Sequence, residues 1–118
     1  MKYPVKDPLI YLEHILEAID RIKLYVKGFD EDDFLSNELI KDAVVRNMEV
    51  IGEATKNLPV SLKKDYPEVP WKDMAGIRDR LSHFYFGIDY KIVWDAVKDD
   101  IPKLEFMIHN IINLLKKK

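Results

Sequence analysis

Apolar residues step along this chain in threes and fours. From Asp7 to Val26 the positions Leu12, Ile15, Ile19, Ile22 and Val26 advance by three, four, three and four, the spacing of a helix with one face against a core. Asp7 ahead of Pro8 supplies an N-cap followed by proline in the first turn, and Gly28 ends the segment. A second stripe, Ile40, Val44, Asn47, Ile51, Ala54 and Leu58, predicts a helix from Ser36 or Asn37 to Leu58. Val45 and Met48 widen its apolar face, which implies contacts on two sides. Asp42, Arg46, Glu49, Glu53 and Lys56 form the polar side. Between the two helices, Asp30-Glu31-Asp32-Asp33 reads as a connector or a short helical turn.

Three prolines, Pro59, Pro67 and Pro70, mark residues 59–70 as a loop with at most one helical turn around Leu62. A third helix is expected from Pro70-Trp71 to Gly87, where glycine readily takes the left-handed capping conformation. Asp89 caps a fourth, with the stripe Val93, Val97, Ile101, Leu104, Ile108, Ile111 and Leu115. Pro102 within it predicts a kink, and Lys116, Lys117 and Lys118 suit a helix C-terminus. No segment alternates with period two. The expected fold is all-α, an up-and-down four-helix bundle with an extra short helical turn, in a single domain over residues 1–118.

Composition narrows the chemistry. A length of 118 residues provides for one domain with one core. Nineteen Lys+Arg against 21 Asp+Glu give a net charge of −2, so any nucleic-acid contact must use a local patch; Arg46, Lys72, Arg78, Arg80 and Lys91 are the candidates for a positive strip. The absence of cysteine excludes disulfides, thiolate metal sites and cysteine nucleophiles, and fits a reducing cytoplasm. No apolar run approaches the ~18 residues of a membrane span. The segment Met1 to Asp7 leads into an amphipathic stretch rather than a signal-peptide core. Four glycines are too few to expect a phosphate-cradling loop.

The informative segment runs from Trp71 to Asp89. Helical spacing puts Arg78, Ser82 and Tyr85 on one stripe and Asp79, His83 and Phe86 on the next. Asp79, four residues before His83, is placed to accept an imidazole N–H and favour the protonated ring. A helix C-terminus near Gly87 would push the same way. A histidine poised near neutrality suits general acid–base work, and Arg78 can grip a phosphate with two N–H bonds. Together they suggest phosphodiester chemistry without metal: His83 takes the proton of an RNA 2′-hydroxyl, and Arg78 stabilises charge on the phosphoryl oxygens. On the residues alone, a structural cap formed by Asp79 and His83 is the more common use of such a pair.

The same residues resemble a known family. Arg78, four residues, His83, Phe84 and Tyr85 read as the Arg-x4-His-x-Tyr signature of the HepT-like branch of the HEPN superfamily, the toxins of toxin–antitoxin pairs. Ile51-Gly52-Glu53-Ala54, Pro70-Trp71, Tyr85 to Asp89, Val93-Trp94 and Asp100-Ile101-Pro102 extend the likeness over almost the whole chain. The resemblance implies a metal-independent ribonuclease without cofactor, acting as a homodimer whose cleft uses Arg78 and His83 from both copies. Asp79 would support the site. It also implies a small nucleotidyltransferase antitoxin that transfers AMP to Tyr85, placing charge and bulk beside His83. Two other readings stay open: a non-catalytic helical module that binds nucleotide or the nucleotidyltransferase, and an interaction bundle whose polar cluster is structural.

The remaining candidates read more plainly. Glu49 and Glu53 form either a solvated face, with Arg46–Glu49 as a local ion pair, or the lining of the dimer groove near the motif helix. A metal site is not expected, because di-iron bundles need Glu-x-x-His on two helices and this chain has only His14-x-x-Glu17 in reverse order. Gly52 and Gly76 mark places where something approaches a helix closely. Asn47 is expected to bond between helices. Trp71 and Trp94 are expected in the core, and His14 and His109 at the surface or its boundary.

Overall fold

The computed structural model of the chain describes residues 7–82 and 87–117. They form an all-α bundle: α1 Pro8–Tyr25, α2 Glu31–Leu35, α3 Glu38–Lys56, α4 Val60–Asp65, α5 Trp71–Ala75, α6 Ile77–Leu81 and α7 Tyr90–Lys116. Among the described residues there is no strand, only an isolated bridge between Ser82 and Ile88. No described helix is long and apolar enough to cross a membrane.

The long helices begin where their caps are. Asp7 accepts from the Leu9 amide ahead of Pro8, Asn37 from Ile40, and Asp89 from Lys91 and Ile92. The acidic connector folds as α2, because Asp30 and Asp33 bond each other's backbone amides in a capping box. The single turn expected around Leu62 is α4, with Leu62 fully buried.

Helix α1 packs along α3 and α7, and α3 meets α5 and α6 as well, so the wide apolar face does contact neighbours on more than one side. The apolar stripes supply the core: Leu12, Ile15, Ile19 and Ile22 of α1, Val44, Met48 and Ile51 of α3, and Val93, Ile108 and Ile111 of α7 are sealed from solvent. Each such side chain contributes about 1.5–3 kcal/mol by burial. Trp94 lies in this core with its ring 5.3 Å from Phe34. Trp71 is also buried, its indole N–H donating to the Tyr66 carbonyl at 2.9 Å. Helix α7 runs through Pro102 without a break.

Two sequence expectations need correction. Asn47 is buried, but its amide donates to the Ala43 carbonyl of its own helix at 2.9 Å rather than across to another helix. The third long helix is replaced by two short ones. Gly76 ends α5, its amide donating to Lys72, and opens α6, its carbonyl accepting from Asp79. Helix α6 then stops at Leu81, where Ser82 turns extended at φ −94°, ψ 153°. Carbonyls that another helical turn would use are committed elsewhere: that of Arg78 to the Ser82 hydroxyl at 2.8 Å, that of Leu81 to the Asp89 amide at 2.7 Å. Gly87 has the left-handed φ of 78° expected of it.

Candidate functional site

The site is built on the α5–α6 limb, and α3 positions that limb. A Cβ on Gly52 of α3 would stand 3.1 Å from the Met74 carbonyl and 3.2 Å from the Ile77 side chain. The contact is tighter than an ordinary side chain meets, so the approach expected at Gly52 occurs within one chain. Gly76 differs, since its nearest neighbour would be the Lys72 carbonyl at 3.5 Å. It marks the break between α5 and α6 instead of a helix crossing.

The two arginines on α6 leave it toward different partners. Arg78 reaches α3, where its Nη1 donates to Glu49 Oε2 at 2.6 Å. Arg80 pairs with Asp73 of α5 at 3.2 Å. Arg80 also borders an open cavity of about 310 Å³ between the limb and α7, floored by Met48, Met74, Ile77, Leu81 and Met107 and edged by Asp95, Asp99 and Asp100. The Arg78 side chain is 62% exposed despite its ion pair. Asp79 is exposed on the first turn of α6, and its carboxylate has no ion-pair partner among the described residues.

Beyond α6 the chain returns to its neighbour. Ser82 bridges Ile88, and the Asp89 amide reaches the Leu81 carbonyl. Both ends of the stretch between them are therefore fixed on the bundle beside Arg78. His83 and Tyr85, the expected base and modification site, lie outside the described residues. Helix α6 ends at Leu81, and the expected Asp79–His83 pairing, like the effect of a helix end near Gly87 on the ring, falls on residues outside the described ones.

Glu49 lies against the motif limb, as one of its two sequence readings had it, with Arg78 as the partner that spacing did not single out. The expected Arg46–Glu49 pair gives way to Glu49–Arg78, while Glu53 pairs with Lys56. The available signal was Gly52, one turn along the same helix, which marks where another backbone comes near. The positive strip is also mostly neutralised. Arg78 is paired with Glu49, Arg80 with Asp73, and Lys91 with Glu31 and Asp95; these hydrogen bonds, led by that to Glu31, raise the Lys91 pKa. Arg46 and Lys72 have no such partner among the described residues. No group of three or more His, Cys, Asp or Glu able to hold a metal ion occurs among those residues.

An all-α bundle of this kind is consistent with a HEPN-like domain. The chain belongs to the HepT-like ribonuclease family, whose description, Ribonuclease HepT-like, it matches over residues 15–111. It is 46% identical over 105 residues to a Thermococcus cleftensis protein named probable ribonuclease HepT, covering 89% of this chain and 93% of that one. It is 43% identical over 108 residues to a Caldanaerobacter subterraneus protein named "putative RNase", covering 92% and 96%. A Methanocaldococcus jannaschii protein named "gamma-glutamylcyclotransferase and putative RNase" is 48% identical over 112 residues. That match takes in 95% of this chain and half of the longer relative. No solved structure matches the chain closely.

Proposed function

We propose that the protein is an endoribonuclease that needs no metal, with Arg78 and His83 as its catalytic pair. The observation that carries this is the exposed Arg78 side chain, beside the bridge between Ser82 and Ile88, in a chain of the HepT-like ribonuclease family. His83 takes the proton from the RNA 2′-hydroxyl as that oxygen attacks the adjacent phosphorus. The 5′-oxygen of the next nucleotide leaves and receives a proton. The products are a 2′,3′-cyclic phosphate and a 5′-hydroxyl. Arg78 stabilises the charge on the phosphoryl oxygens during the attack, and Asp79 supports the histidine from α6.

Further parts of this reading follow the family resemblance. The working unit is a homodimer in which two copies of the pair face one cleft, so that a second His83 can serve the leaving oxygen. The protein is the toxin of a toxin–antitoxin pair in the cytoplasm. A small nucleotidyltransferase antitoxin silences it by transferring AMP to Tyr85, which brings a phosphate ester to where the RNA phosphate would sit.

The deciding experiment is RNA cleavage in excess EDTA by the wild-type protein, His83→Ala and Arg78→Ala. Cleavage that leaves cyclic phosphate ends and disappears in both folded variants supports the reading. Cleavage that EDTA abolishes, or that both variants retain, overturns it.

A further inference from the structure

Among the described residues, Arg78 is held from one side only. Its Nη1 donates to one oxygen of Glu49 at 2.6 Å, and its side chain is 62% exposed against 31% for that of Glu49. A guanidinium carries five N–H donors in a rigid plane. One donor committed to one carboxylate oxygen fixes the direction of that plane and leaves the rest of the fork available. The two residues also sit on unequal supports. Glu49 belongs to the 19-residue α3, whose Val44, Met48 and Ile51 are sealed in the core; Arg78 belongs to the five-residue α6. One turn beyond Glu49, Gly52 admits the Met74 carbonyl to within 3.1 Å of a Cβ position. Helix α3 thus grips the limb twice, by its backbone at Gly52 and by the arginine head at Glu49.

An exposed ion pair of this kind adds little to stability. Its effect falls on direction, because a free arginine samples many rotamers and a tethered one does not. We propose that Glu49 is a positioning residue: it aims the Arg78 guanidinium so that its remaining N–H groups meet a phosphate of the RNA backbone. The catalytic consequence rests on the ribonuclease reading above, whereas the tethering itself does not.

The test therefore has two arms. The first is ¹⁵N NMR of the arginine side chains in the wild-type protein, Glu49→Gln and Glu49→Ala. The expected result is slow rotation of the Arg78 Nη groups in the wild type, faster in Glu49→Gln and unrestrained in Glu49→Ala. Identical Arg78 signals in all three would overturn the tether. The second arm is steady-state RNA cleavage in EDTA. Glu49→Ala should lower kcat about ten- to a hundred-fold, less than the ~10²–10³ lost when a charge-stabilising donor is itself removed, with KM changed less. Glu49→Gln, which keeps an acceptor oxygen, should recover part of the loss. In an Arg78→Ala background Glu49→Ala should have no further effect, since the tethered group is gone. Full additivity of the two changes, or an unaltered kcat in Glu49→Ala, overturns the positioning role. A wild-type protein that fails to cleave would sink the ribonuclease reading, and the NMR arm would still decide the tether.

Discussion

The backbone amide of Asp89 donates to the carbonyl of Leu81 across 2.7 Å, joining the end of α6 to the start of α7. The Asp89 carboxylate meanwhile accepts from the amides of Lys91 and Ile92. One residue thus opens the last helix and holds the motif limb beside it. Asp89→Ala keeps the backbone bond and loses the cap, so it should cost about 1 kcal/mol. Asp89→Asn, still a good cap, should stay within a few tenths of wild type. The readout is the urea midpoint at constant slope; equal midpoints for Asp89→Ala and wild type would rule out the cap.

The glycines of α3 and of the limb should respond differently to alanine. At Gly52 the added methyl meets the Met74 carbonyl at 3.1 Å, a backbone atom that cannot rotate away. Overpacking of about 1–3 kcal/mol then exceeds the ~1 kcal/mol that alanine contributes to a helix, and Gly52→Ala should be net destabilising. Gly76 has only an ordinary contact at 3.5 Å and a negative φ of −97°. Gly76→Ala should therefore change stability by no more than about 0.5 kcal/mol. Thermal melts of both variants test the contrast, and a stabilised Gly52→Ala would show that the limb yields.

Tyr90 gives the fold an alkaline limit. Burial first, and then Asp42, whose Oδ1 accepts the phenol hydrogen bond at 3.3 Å, raise the Tyr90 pKa above its ordinary value of 10.0. Lys41, 4.5 Å from the ring centroid, acts in the opposite direction. A pKa raised on folding contributes stability that is complete below the unfolded value and lost as pH rises through the folded one. The advantage of wild type over Tyr90→Phe should accordingly be constant from pH 7 to 9 and shrink above 10. Urea titrations of both proteins at pH 8 and 11 measure it. An advantage that grows with alkalinity would contradict the direction of the shift.

Replacing Arg78 should separate charge from shape. Arg78→Ala should lower metal-free cleavage about 10²–10³-fold. Arg78→Lys should recover little, because an ammonium cannot present two parallel N–H bonds to a phosphate. Both variants should melt within about 1 kcal/mol of wild type, since the Glu49 pair is solvent-exposed. Full activity in Arg78→Lys would mean that only a positive charge is needed there.

The long helices were legible in the sequence because one periodicity and one cap determine each. Leu12 to Ile22, Val44 to Ile51 and Val93 to Ile111 lie in the core as their spacing predicts, and Asp7, Asn37 and Asp89 start their helices. The motif limb was less legible. Trp71 to Gly87 contains enough helix-compatible residues to read as continuous, but the outcome turns on which carbonyls are taken, and the partner of Leu81 is an amide beyond the segment. Arg78 was visible as a residue and invisible as a contact. Its partner lies 29 positions away, and local spacing offered the nearer Arg46 instead.

Because Ser82 and Ile88 stand side by side and the Asp89 amide reaches the Leu81 carbonyl, the end of α6 and the approach to α7 are laced together by backbone alone. Such a seam asks nothing of the side chains at those positions, so their identities can drift through evolution while the frame that carries Arg78 keeps its shape.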